Sequence, residues 1–216
     1  MIDYQRRHVM LTRSFPSAIV SIAATASLLF SQAPDARTPA TTKVIPPAAQ
    51  QIAAAVLPAP TDLRSTATVL GYRPDGTLTT LRKGDGPLTC LASDPANAEF
   101  HVACYHRSLE AFMSRGRALR AGGVKGGEVD SVRYREIRSG ALRMPRAPAV
   151  LYSLTGKPGS FDALTGTAKG ARALFVVYVP NATAASLGVS AVPAEGVPWV
   201  MFPGTPKAHI MFVPRM

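Results

Sequence analysis

The stretch HRSLEAFMSRGRALRAGG, His106 to Gly123, decides how the chain folds. Before it, short apolar runs alternate with turn residues, as strands do. Within it the period changes. Leu109, Phe112, Met113 and Leu119 recur at helical spacing and form one apolar stripe, and Gly122-Gly123 ends it. A helix is therefore predicted over His106 to Ala121. The glycine-rich break Gly122 to Gly127 leads to a second helix, about Glu128 to Ser139, with Val129, Val132 and Ile137 facing in and Arg133, Arg135 and Arg138 facing out. Strands resume after it. Strands, two helices, then strands is an α+β order, not a βαβ alternation. The expected architecture is an antiparallel or mixed sheet of short strands with two central helices packed on one face.

Upstream, Thr66 to Tyr72 and Thr77 to Arg82 flank Arg73-Pro74-Asp75-Gly76, where Pro fixes φ and Gly supplies φ > 0. Gly84-Asp85-Gly86-Pro87 turns into the run Pro87 to Ala92, and a loop, Ser93 to Glu99, leads to Phe100 to Tyr105. Four short strands joined by short turns predict a meander. Cys90 and Cys104, the only two cysteines, lie on the last two of these strands. In an exported chain such a pair reads as a disulfide, and closing a loop of this size stabilises by roughly 3 kcal/mol. A metal site, with His106 as a further ligand, or a free nucleophile is the alternative.

Downstream, Ala149 to Leu154 is strand-like, and a loop rich in Gly, Lys and Ser follows it. The apolar run Arg172 to Val179 reads as a strand buried on both faces. Asn181 to Gly188 fits a short capped helix. Trp199 to Phe202 and Ala208 to Val213 form a hairpin around Pro203-Gly204-Thr205-Pro206. Ala48 to Leu57 is a short helix stopped by Pro58 and Pro60.

At the N-terminus, Arg6, Arg7, His8 and Arg13 precede the uncharged run Phe15 to Phe30. A basic segment before an apolar core shorter than the roughly 18 to 20 residues of a spanning helix is the pattern of a signal peptide. Residues 1–33 are expected to be that signal peptide, or an N-terminal anchor, with Met1 or Met10 as the start. Residues 34–47 read as a Pro/Thr-rich linker and 48–216 as a single α+β domain. The protein is expected to be exported, periplasmic or extracellular. Its Arg- and Ala-rich cast resembles that of exported proteins of GC-rich bacteria, and this carries no residue role over.

Of 216 residues, 47% are hydrophobic, enough for a core, and 24 Lys and Arg against 13 Asp and Glu leave a net charge of +11. Most of the cations are Arg, which forks onto carboxylates and phosphates. The implied partner is an anionic envelope component or an acidic protein. No block of five basic residues appears and aromatic interleaving is thin, so nucleic acid is not expected. Membrane contact is expected only through the N-terminal segment, if it stays uncleaved.

Catalytic signatures are missing. There is no H-E-x-x-H, no G-x-S-x-G and no C-x-x-C. Thr155-Gly156-Lys157 is not a phosphate loop, because Leu151 stands where a Gly is needed and Pro158 follows the lysine. No cofactor and no resident metal are expected. The leading expectation is a non-enzymatic binding or structural domain of the cell envelope with a basic surface. The alternative is a small exported hydrolase or metal-dependent enzyme. It would use His209, which enters the last strand beside the Pro-Gly-Thr-Pro turn, with His106 and Glu110, one helical turn apart. Tyr178 and Trp199 near His209, and Arg115 and Arg135 on the two helices, are the ligand-binding candidates.

Overall fold

The computed structural model describes residues 44–214. The expected signal peptide, 1–33, and the linker up to residue 43 lie outside the described residues. Positions 44–47 are non-helical and mostly exposed.

Pro47 leads into α1 (Ala48–Ala55). Gln51, buried in α1, donates through Nε2 to Pro46 O at 2.7 Å and Tyr72 O at 2.8 Å, and its Oε1 accepts from Tyr72 N at 2.8 Å. One amide thus stitches the helix to the end of β1 (Thr68–Tyr72). Then come β2 (Leu78–Arg82), β3 (Leu88–Leu91) and β4 (Phe100–His106). A single 3-10 turn over Arg107–Leu109 leads to α2 (Glu110–Ala121), and α3 (Glu128–Arg138) follows. The chain continues through β5 (Ala149–Gly156), the small hairpin β6 (Phe161–Asp162) and β7 (Thr167–Ala168), and β8 (Arg172–Tyr178). It ends in α4 (Ala184–Leu187), β9 (Trp199–Met201) and β10 (His209–Phe212).

Eight strands form one mixed sheet in the order β2-β1-β3-β4-β5-β8-β10-β9, antiparallel except where β1 and β3 run parallel. The expected α+β class stands, and the hairpin β9–β10 forms as read. The meander does not. After β2 the chain crosses the start of β1 and places β3 on its far side. The glycines permit this. A Cβ on Gly84 would lie 2.1 Å from Thr66 O, and one on Gly86 2.3 Å from Thr66 Oγ1. Thr68 Oγ1 then brackets the Gly84 backbone, accepting from its N–H and donating to its C=O at 3.1 Å each. Turn chemistry shows that the chain reverses, not which neighbour the next strand joins.

Side chains alternate across the sheet. Val69, Cys90, Val102 and Cys104 face α1 and pack with Ala54 and Ala55. Tyr105, Val176 and Tyr178 face the other way and pack with Leu109 and Phe112 of the α2 segment. The two central helices therefore cover one face, as expected. β8 is not buried on both faces. Val176 and Tyr178 are buried under the helices, but Phe175 is 37% exposed on the α1 side. It sits in a row with Tyr152, 5.8 Å away, and Phe212, 6.5 Å away. The sequence run was apolar because this face is apolar, although uncovered at that point.

Cys90 and Cys104 stand opposite each other on β3 and β4 and are joined by a disulfide, S–S 2.06 Å, with both residues fully buried. The metal and free-nucleophile alternatives for these sulfurs are thereby excluded. The segment after β5, expected as loop alone, contains the β6–β7 hairpin.

Candidate anion-binding site

Arg133 organises the site. The sequence reading placed it outward on α3, yet it is 4% exposed. It lies one helical turn from the buried Val129, at i, i+4, and so shares its inward stripe. Its guanidinium lies over the Phe112 ring, 3.7 Å from the centroid. Nη1 donates to Phe112 O at 3.2 Å and Nη2 to Asp130 Oδ1, while Nε has no hydrogen-bond partner. Gly116 on α2 makes room for it, since a Cβ there would lie 2.9 Å from Arg133 Nη1.

From Arg133 a closed circuit of side chains runs around the site. Phe112 meets Tyr178 edge to face at 6.3 Å, and Tyr178 meets His209 at 5.0 Å. His209 meets Phe202 at 5.7 Å, and Lys207 Nζ sits 4.3 Å over the Phe202 ring. Lys207 closes the circuit by binding Asp130 Oδ2 at 2.9 Å. Burial alone would raise the Asp130 carboxyl, but hydrogen bonds from Lys207 and Arg133 hold it below the usual range.

Beside this circuit is a cavity of about 300 Å³ between the helices and the sheet. Its cations are Arg117, Arg120, Arg133 and Lys207, and among the described residues no carboxylate lines it. Tyr105 is one wall. Its hydroxyl donates to Glu110 Oε2 at 2.6 Å and accepts from Arg117 Nη1 at 2.9 Å. Burial, then the bond to Glu110, push the Tyr105 phenol up, so it stays protonated. Tyr178 is pushed up to about 12 by burial and also keeps its proton. Its hydroxyl has no hydrogen-bond partner among the described residues. The cavity thus presents donors and positive charge.

His209 is a buried member of the circuit. Its Nδ1–H donates to Lys207 O at 2.7 Å, and burial holds its pKa below the ordinary value, leaving it neutral at pH 7. Tyr178 is its neighbour, as the sequence suggested. His106 lies elsewhere. It ends β4 rather than sharing a helix face with Glu110, and its Nδ1 accepts from Ser108 N at 3.2 Å to cap the following turn. Two strands, β5 and β8, separate β4 from β10, which puts the two histidines about 14 Å apart at ~4.8 Å per strand. They also fall on opposite faces by alternation. Glu110 is held by Tyr105 and by Arg117 Nη2 at 2.6 Å. The three residues of the enzyme alternative are not brought together. Among the described residues no group of three or more His, Cys, Asp or Glu side chains is placed to hold a metal.

The other candidates lie outside the cavity. Arg115 grips Glu136, Nε to Oε2 at 2.9 Å, and Arg135 pairs with Glu128 at 3.4 Å. Trp199 is buried with an unpartnered Nε1 and lines neither cavity. The sequence pointed to Arg115 and Arg135 on the two helices rather than to Arg117, Arg120 and Lys207. The available signal was Gly116, a helix-weakening residue in mid-helix that has to be explained by a close approach.

A second cavity, about 600 Å³, lies on the α1 side among α1, the Ser93–Glu99 loop and the β6–β7 hairpin. Among the described residues its charged lining is Asp94 and Glu99, which disfavour an anion. No described helix is long and apolar enough to cross a membrane. No family model, no curated protein and no solved structure matches the chain.

Proposed function

We propose that the protein is an exported, non-enzymatic binding module of the cell envelope that holds an anionic ligand between α2, α3 and the sheet. One observation carries the reading: a guanidinium 4% exposed, Arg133, and three further cations line one cavity together. Cations gathered around a partly dehydrated cavity cost free energy unless an acceptor faces them. An oxyanion would do so. The buried disulfide favours an oxidising compartment, periplasmic or extracellular. The apolar segment before residue 31 supplies the export route.

Calorimetric titration of the full chain with inorganic phosphate at low ionic strength tests this. Arg120 is exposed, at the mouth, and makes no ion pair with any described residue, so Arg120→Gln leaves the fold intact. Saturable binding is expected, weakened about tenfold or more in R120Q, the loss of one charge-assisted contact. Absence of phosphate binding, or equal binding by both proteins, would overturn the reading.

A further inference from the structure

The cavity is built for more than a bare oxyanion. Resting on the anion-binding reading, we propose that its ligand is a small organic oxyanion, an acidic head joined to a compact apolar body the size of a benzene ring. The volume, about 300 Å³, is room for about ten water molecules. A free phosphate would fill a minor part of it. The lining is segregated. The cations come from α2, α3 and the segment before β10, whereas the sheet contributes Leu91, Ala103 and Leu151 as an apolar floor, with Met113 above it and the phenols of Tyr105 and Tyr178 at its sides.

That floor offers nothing to a polar body. The backbone groups of β3, β4 and β5 are committed to their ladders. Leu91 and Leu151 are only half-buried, so they keep apolar surface facing the space. Ala103 creates the hollow. It stands between Leu91 on β3 and Ser153 on β5 in register, a small side chain on the central strand of the three. A sugar or a peptide backbone has more polar groups than the two phenols at the sides could serve and would lose its water over the floor, while a ring or short alkyl group would gain by burial. The donor set recognises the head whether it is a phosphate, a sulfate or a carboxylate.

The test compares inorganic phosphate, phenyl phosphate and benzyl alcohol on the full chain and on Ala103→Leu, which narrows the hollow and removes no cation. Phenyl phosphate is expected to bind at least about tenfold tighter than phosphate, the gain from burying one ring face, and benzyl alcohol far more weakly than either. In A103L phenyl phosphate is expected to lose more affinity than phosphate does, so that the preference shrinks toward unity. Equal affinity for phosphate and phenyl phosphate in the natural protein overturns this inference and leaves the anion site standing. Failure of both to bind overturns the anion reading as well. Benzyl alcohol binding as tightly as phenyl phosphate would remove the anionic head from the proposal. If A103L does not fold, the three affinities of the natural protein decide the matter.

Discussion

Arg133 and Gly116 are a matched pair, and the match gives a prediction in which stability and function separate. Gly→Ala inside a helix ordinarily stabilises by up to about 1 kcal/mol. At position 116 the new methyl would crowd the end of the Arg133 side chain, 2.9 Å away. Gly116→Ala is expected to leave the melting temperature unchanged or raised while phosphate binding weakens at least about fivefold. Unchanged affinity would show that the guanidinium does not set the site. His209 makes a second prediction. Its folded pKa lies below the ordinary value near 6.5, because burial disfavours the charged ring. The unfolded chain therefore takes up the proton first. The stability His209 contributes is full above the ordinary pKa and is lost as pH falls below it. Urea unfolding followed through the single tryptophan, Trp199, is expected to show falling stability from about pH 7.5 to about pH 5.5, with the slope reduced in His209→Asn. Asp130 adds a loss at lower pH. Its folded pKa is depressed, so its contribution is present above the ordinary carboxylate value and disappears as pH drops through the folded one.

Among the elements, the β3–β4 pair and the α1–β1 seam hold the left half of the sheet together. Replacing both cysteines, C90A/C104A, is expected to cost about 3 kcal/mol or more, from the freed 14-residue separation and the lost buried sulfurs. Guanidinium unfolding checks this, and a cost below about 1 kcal/mol would contradict it. Gln51→Ala removes three hydrogen bonds at once and leaves the Tyr72 backbone unpaired, with an expected cost of about 1 to 3 kcal/mol. Element types were legible because apolar spacing differs between strand and helix. His106 to Ala121 and Arg172 to Val179 announce themselves that way. Their neighbours were not legible. The crossing of β3 to the far side of β1 depends on backbone contacts of Gly84 and Gly86 with Thr66, which leave no periodic trace. Arg133 was misread for a related reason. A charged residue on the inward stripe looks like an outward one until Phe112, Asp130 and Gly116 are seen around it.

For the whole molecule, the net charge of +11 is a long-range attraction for any anion, and the cavity is where donors converge at short range. Affinity is expected to fall with salt, while selectivity between ligands changes little, since screening weakens the distant charges more than the buried contact. A ligand that binds only the folded chain raises its stability by about 2.7 kcal/mol at a hundred times its dissociation constant. The measurement that tests the site most directly is the arginine Nε–Hε region of a ¹⁵N-correlated NMR spectrum, followed while phosphate is added. The Arg133 Nε–Hε, unpartnered in the free protein, is expected to shift progressively and saturably, together with Arg117 and Arg120, while Arg115, held by Glu136, stays still. If Arg133 does not move while exposed arginines do, phosphate is only condensing on a basic surface, and the cavity is not the site.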